Sequence, residues 1–456
     1  MRPPGIRGTV RRMAARTPGD PDHEAKTPPA PTLGATWPVW GRIGLLSFGG
    51  PAAQIALMHR MVVDERRWLT ERQFLDALSF CMLLPGPEAM QLATYAGWRM
   101  HGVRGGLVAG GLFVLPGAVL IAVLAALYAR FGDLPAVEAL FLGVKAAVLA
   151  IVVEALLRVA RRALVGPEAA VIAGTAFAAL FVFALPYPLV VIGAAAWGAL
   201  RLSRPAEAAA PPVRAVGRRH PLAATLATAA LWLTIWLGPL AVVGALAPEV
   251  FGDVARFFSV LATVTFGGAY AVLAYMTQEA VATQGWLSTA EMLDALGLAE
   301  TTPGPLILVT EFVGYLAGHR AAPAGASPLL WGLGAAAVTL WATFAPCFLW
   351  IFAGAPWIDR ISARPRLRAA LAGVTAAVVG VIANLSLWFG LHVLFGEVGT
   401  VAAGPARIAL PEIASFDWRG AVVAAVAALL LMRVRWGVPA TLAACAALGA
   451  GLVLAG

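Results

Sequence analysis

Ser47-Phe48-Gly49-Gly50-Pro51 and Pro85-Gly86-Pro87 decide the fold, because both return later in the chain as Thr265-Phe266-Gly267-Gly268 and Pro303-Gly304-Pro305. Trp68-Leu69-Thr70 likewise returns as Trp286-Leu287-Ser288, and Leu75-Asp76 as Leu293-Asp294. All four pairs share one offset of 218 residues (47 to 265, 85 to 303). Further on, Gly143-Val144-Lys145-Ala146-Ala147-Val148 matches Gly373-Val374-Thr375-Ala376-Ala377-Val378 at an offset of 230 (143 to 373). A duplicated apolar unit, interrupted by Gly and Pro at corresponding positions, is the pattern of a secondary transporter whose binding site lies at the interruptions.

The rest of the composition agrees. Of 456 residues 60% are hydrophobic and 12% charged, and the mean hydropathy is +0.81. That balance belongs to a polytopic membrane protein. The apolar runs have helical length and lack the roughly ten-residue alternation of an outer-membrane barrel, so helices must satisfy the backbone in lipid. The net charge of +9 sits largely as Arg in short loops. There it sets topology, and nucleic acid is not an expected partner. Cys81, Cys347 and Cys445 have neither disulfide nor metal spacing. No Walker A motif occurs. Neither a cofactor nor a metal is expected, and the protein is not read as an enzyme.

The expected organisation is a disordered cytoplasmic tail at 1–36, a first transport repeat at 37–200, a cytoplasmic linker at 201–220 and a second transport repeat at 221–456. The tail has no apolar signal-like region, and its Arg2, Arg7, Arg11, Arg12 and Arg16 hold the N-terminus in the cytoplasm. Loop 60–73 carries Arg60, Arg66, Arg67 and Arg72, whereas its equivalent 278–291 carries Glu279 and Glu291 without Lys or Arg. Equivalent loops of opposite basic content predict two repeats inverted relative to one another. Segments 40–62 and 74–98 are read as broken hairpins, although each is long enough to span.

Two prolines around a glycine break a helix, which lipid tolerates only where the break is buried in protein or lines a cavity. The half-helix after each Pro-Gly-Pro points its free amides and positive dipole end at the break, which makes an anion site; the alternative is a packing kink. At the Gly-Gly breaks the backbone can approach a ligand and the hydroxyls of Ser47 and Thr265 can donate to one. The alternative there is close helix packing. The candidate substrate residues are Arg42, Ser47, Gly49, Gly50, Pro85, Gly86, Pro87, Gln91, Thr265, Gly267, Gly268, Thr302, Pro303, Gly304 and Pro305. Charges at membrane depth are costly and usually functional, which makes Glu88, Glu300, Glu311 and Lys145 the candidate coupling groups. Asp76 and Asp294 are read as helix caps.

At these residues the chain resembles the chromate ion transporter (CHR) family. The resemblance rests on Arg42-Ile-Gly-Leu-Leu-Ser-Phe-Gly-Gly-Pro51, on Trp68-Leu69-Thr70 and on Leu83-Leu84-Pro-Gly-Pro-Glu-Ala-Met-Gln91-Leu-Ala-Thr94. The second copy matches the family's long, two-domain form, and the likeness covers about residues 37–455. It implies a multi-pass bacterial inner-membrane protein that exports chromate, driven by the membrane potential or a proton gradient, and so confers chromate resistance. Leu306 stands where the first copy has Glu88 and Ala269 where it has Pro51, so the two half-sites differ chemically. The residues leave open another tetrahedral oxyanion such as sulfate, and a homodimer. An intramembrane reductase would need a redox centre for which the sequence shows no pattern. An uncoupled channel-like protein remains the third alternative.

Overall fold

Glycine and proline end the helices at the quoted motifs. The computed structural model describes residues 31–201, 222–266, 269–358, 364–404 and 406–454. Residues 1–30, the linker from 202 to 220, and Gly267 and Gly268 lie outside the described residues. Helix α1 (Leu33–Leu46) stops at Ser47, and Gly49 and Gly50 follow at φ 83° and 77°, a left-handed backbone that glycine adopts without cost. Pro51 then opens α2 (Gly50–His59), which continues as a π-helical turn over Arg60–Glu65. Thr70 starts α3 (Glu71–Cys81) with a reciprocal capping box. The Pro-Gly-Pro break follows α3 over 82–87, and α4 (Glu88–Phe131) begins after it.

The segment 74–98 is broken, and the apolar stretch that follows it is a separate helix within the range of α4. The Pro-Gly-Pro break divides that segment, and residues 88–100 join 103–131 through a reversal at His101 and Gly102 (φ 61°). The two halves fold back on each other. A Cβ on Gly97 would collide with the Gly105 carbonyl, and one on Gly105 with the Gly97 carbonyl. Small residues let the backbones touch, as is usual between membrane helices. Along the second half Ala109, Phe113, Gly117, Ile121 and Ala125 are buried. Leu115, Val119, Val123 and Leu127 are exposed at the same helical spacing. An apolar outer stripe of this kind faces lipid without penalty.

The remaining helices are α5 (Pro135–Ala163), α6 (Pro167–Phe181), α7 (Tyr187–Arg201), α8 (Leu222–Leu246), α9 (Glu249–Val264), α10 (Ala269–Thr277), α11 (Thr289–Thr301), α12 (Val309–Arg320), α13 (Pro328–Gly354), α14 (Pro365–Leu394), α15 (Trp418–Ala428) and α16 (Val438–Leu454). Several boundaries repeat with the sequence. The π-turn at 60–65 recurs at 278–283, the start of α3 at 71 recurs in α11 at 289, and the start of α5 at 135 recurs in α14 at 365. Ser288 caps α11 with a second capping box. Among the described residues, five helices are long and apolar enough to cross a membrane: Glu88–Phe131, Pro135–Ala163, Leu222–Leu246, Pro328–Trp357 and Pro365–Leu394. One element was not foreseen in an otherwise helical protein. Strands β1 (Val398–Ala403) and β2 (Ala406–Pro411) pair antiparallel between α14 and α15, with Thr400 opposite Ala409.

The late helices of each half pack on the other half. Helices α6 and α7 lie on α14, while α15 and α16 lie on α5, and α5 touches α14. Equivalent glycines make two close crossings. Gly143 of α5 meets Gly449 of α16, and Gly373 of α14 meets Gly198 of α7. Separating the halves would expose all five of these seams at once, so neither half is an independently packed unit.

Candidate functional site

The four breaks meet in two junctions, each joining a Gly-Gly break from one half to a Pro-Gly-Pro break from the other. In the first junction the Gly304 amide donates to the Ser47 carbonyl at 2.9 Å; in the second the Gly86 amide donates to the Thr265 carbonyl at 2.9 Å. The offset of 218 maps one bond onto the other (47 to 265, 86 to 304). Gly86 (φ 114°) and Gly304 (φ 95°) both hold left-handed backbone, which turns their amides out of the helix path. The helices that begin at the breaks in the first half, α2 and α4, carry no side-chain cap. Their first-turn amides are therefore not consumed by a neighbouring side chain.

Side chains reinforce the junctions unequally. Gln54 Nε2 donates to the Gly304 carbonyl at 2.6 Å and to the Ser47 carbonyl at 3.3 Å, bridging the first junction. Gln91 Nε2 donates to the Pro85 carbonyl at 2.6 Å in the second. Both Gln54 Oε1 and Gln91 Oε1 are buried without a partner among the described residues. A Cβ on Gly86 would lie 2.8 Å from Gln91 Nε2 and 3.2 Å from Cys347 Sγ, while one on Gly304 would lie 2.9 Å from Leu308 Cδ1. Sequence reasoning missed Gln54 and Cys347. A lone amide in the apolar run of α2 was the available signal for Gln54.

The hydroxyls expected to donate to a ligand donate instead to their own helices. Ser47 Oγ donates to the Ile43 carbonyl at 2.6 Å, Thr302 Oγ1 to Ala299 at 3.0 Å, and Thr265 Oγ1 to Leu261. Arg42 does not join the buried junction. It is exposed on α1, whose buried face is Thr36, Val39, Trp40, Ile43 and Gly44. Pro303, Gly304 and Pro305 are fully buried, whereas Pro85, Pro87 and Glu88 are half-buried.

The titratable candidates are scattered among separate contacts. Tyr270 donates to Glu300 Oε1 at 2.8 Å. Glu311 is buried, with Oε2 unpartnered among the described residues. Lys145 Nζ lies 3.3 Å from Asp294 Oδ1, and Tyr128 donates to Asp294 Oδ2 at 2.7 Å. This corrects the reading of Asp294 and Asp76 as caps. Thr70 and Ser288 hold the caps, Asp294 lies more than a turn inside α11, and exposed Asp76 pairs with Arg72 at 4.0 Å. Glu154, on the same helix as Lys145, pairs with Arg158 one turn on.

Long apolar helices with helix breaks buried between two similar halves define a multi-pass membrane protein. A profile described as "Chromate transporter" matches residues 36–199 and 252–450, and the chain belongs to that family of transport proteins. It is 34% identical over 348 residues to a protein of Pseudomonas aeruginosa named "Chromate transport protein", covering 75% of this chain and 77% of the relative. It is 29% identical over 375 residues to a protein of the same name from Cupriavidus metallidurans (80% and 86% covered). A "Probable chromate transport protein" of Synechococcus elongatus is 27% identical over 408 residues (86% and 95% covered). No solved structure matches the chain.

Proposed function

We propose that this protein is a secondary active transporter that exports chromate across the bacterial inner membrane and so confers chromate resistance. The N-terminus is cytoplasmic in this reading, and the transport repeats are 37–200 and 221–456, inverted relative to each other. The observation that carries it is the pair of repeat-related amide–carbonyl bonds, Gly304 to Ser47 and Gly86 to Thr265. Family membership and the names of the three relatives support the substrate; sulfate is the less favoured oxyanion.

The mechanism follows from which donors are spent. Each junction bond contributes about 1 kcal/mol net, so parting the breaks is cheap if a ligand takes over the freed amide. An oxyanion does this well, because its charge strengthens the bond it accepts and the adjoining helix ends favour negative charge. The substrate is held by backbone at Gly49, Gly50, Gly86, Gly267, Gly268 and Gly304, with Pro85, Pro87, Pro303 and Pro305 fixing the breaks. Ser47, Thr265, Thr302 and Gln91 contribute once their present bonds open, and Arg42, exposed on α1, acts outside the junction. Glu88, Glu300, Glu311 and Lys145 are the groups through which ion movement couples to substrate. Everted vesicles containing the protein should accumulate radiolabelled chromate when energised, with sulfate a weak competitor. Uptake no greater than in protein-free vesicles, or preferential uptake of sulfate, would overturn the proposal.

A further inference from the structure

A cavity of about 810 Å³ opens beside the first junction, lined at one end by Phe48 and Gly49 of the Gly-Gly break. Arg158, Arg161 and Arg162 of α5 line its wall, together with Arg435 from the turn after α15. Glu154 is the carboxylate in the lining, and Arg158 neutralises it. Arg161, Arg162 and Arg435 have no ion-pair partner among the described residues. Arg158 is also within electrostatic reach of Glu300, two residues before Thr302. The cavity therefore adjoins the Gly-Gly break of the Ser47–Gly304 junction.

The other half lacks this charge at the equivalent positions. By the offset of 230, Arg158, Arg161 and Arg162 correspond to Trp388, Leu391 and His392 of α14. By the offset of 251 that relates Gly198 to Gly449, Arg435 corresponds to Ala184. Arg435 (φ 64°) and Ala184 (φ 47°) both hold left-handed backbone. The turn is thus common to both halves, and only the first junction receives an arginine from it. A non-glycine residue in this conformation is uncommon and often marks a functional position.

We infer that this arginine-lined cavity is a loading vestibule for a divalent oxyanion, built at one of the two junctions only. The inference rests on the transport reading above and adds where the substrate is first captured. Like-signed charge lining a cleft concentrates a counter-ion and raises its capture rate roughly 10- to 1,000-fold. Four arginines against one already paired carboxylate favour a dianion over a monoanion. Three unpaired guanidiniums present fork-shaped donors to tetrahedral oxygens. The phosphate of a lipid headgroup offers the same chemistry, and the test separates the two sources.

The test uses the full chain with Arg161→Gln and Arg435→Gln combined, the corresponding Lys pair, and Arg130→Gln as a control outside the cavity. Radiolabelled chromate binding is measured in an uncharged, lipid-free detergent, and transport in vesicles of phosphatidylcholine with or without phosphatidylglycerol. The Gln pair should raise the half-saturating chromate concentration on the order of tenfold at low ionic strength. The difference should nearly vanish at about 1 M salt, where the screening length is roughly 3 Å. The Lys pair should keep most of the affinity, which shows that a folded protein can be made with both sites changed. Arg130→Gln should match the wild type. An unchanged half-saturation in the Gln pair, or an equal loss from Arg130→Gln, overturns the vestibule while leaving transport intact. A Gln-pair defect confined to vesicles containing phosphatidylglycerol assigns the arginines to lipid and also overturns it. Wild-type protein that neither binds nor moves chromate overturns the transport reading itself.

Discussion

Replacing Asp294 by Asn tests whether the ion pair with Lys145 ties the two halves together. The Asn carboxamide oxygen can still accept from Tyr128, whose hydroxyl lies 2.7 Å from Asp294 Oδ2. The substitution therefore removes charge while keeping that hydrogen bond. At 3.3 Å the Coulomb attraction is about 5 kcal/mol for an effective dielectric near 20. The side chain of Asp294 is 6% exposed but that of Lys145 is 24% exposed, so solvent screens part of the attraction. The expected loss is about 3 kcal/mol, at the lower end of what breaking a buried pair costs. Replacing both residues, Lys145→Met with Asp294→Asn, removes the unpaired charge along with the pair, keeps the Tyr128 hydrogen bond and should recover most of the loss. With Lys145→Met as the second single variant, thermal unfolding of the purified protein in detergent reads this as a double-mutant cycle. Asp294→Asn should lower Tm by several degrees, taking about 2 °C per kcal/mol for a large domain, and the double variant should lie closer to the wild type. Strictly additive effects, with a coupling energy below about 0.5 kcal/mol, would refute the pairing.

Three further outcomes are expected. Gly86→Leu and Gly304→Leu should abolish chromate transport in protein that still inserts, because the side chain would need left-handed backbone and would strike Gln91 or Leu308; wild-type uptake by either variant removes that break from the site. Glu88→Gln, which mimics the protonated carboxyl beside the Pro-Gly-Pro break, should leave chromate binding intact and make transport insensitive to an imposed pH gradient. Retained pH-driven transport would make Glu88 structural and move the test to Glu300 or Glu311. Single cysteines at Trp68 and Trp286, both half-buried at repeat-related positions, should differ on intact cells without other cysteines. A membrane-impermeant maleimide should label position 286 alone, and protection of 286 would argue against inversion.

Much of the local architecture was legible because its causes are local. Gly-Gly and Pro-Gly-Pro interrupt helices through backbone sterics that need no partner, and the structure breaks at 47–49 and 82–87 accordingly. The helix caps at Thr70 and Ser288 are equally local, made by residues three positions away, but sequence reading places them at Asp76 and Asp294. The hydroxyls were misjudged for a related reason. Ser47, Thr265 and Thr302 sit at helix ends, where a carbonyl three or four residues back competes with any ligand for the same proton.

Sequence alone determined that the chain is a duplicated, helical membrane protein whose unusual residues gather at four helix breaks. Composition, periodicity and an offset of 218 suffice for that. The offset identifies equivalent residues, however, and equivalence is not contact. Only the tertiary structure decided that Ser47 meets Gly304 rather than its own half's Gly86, that Lys145 finds Asp294, and that Arg435 joins Arg161 across the molecule. The last of these pairings depends on late helices crossing onto the opposite half. That exchange is driven by close packing of small residues along whole helices, at Gly143 with Gly449 and Gly198 with Gly373, and small residues carry almost no sequence signature of the partner they pack against.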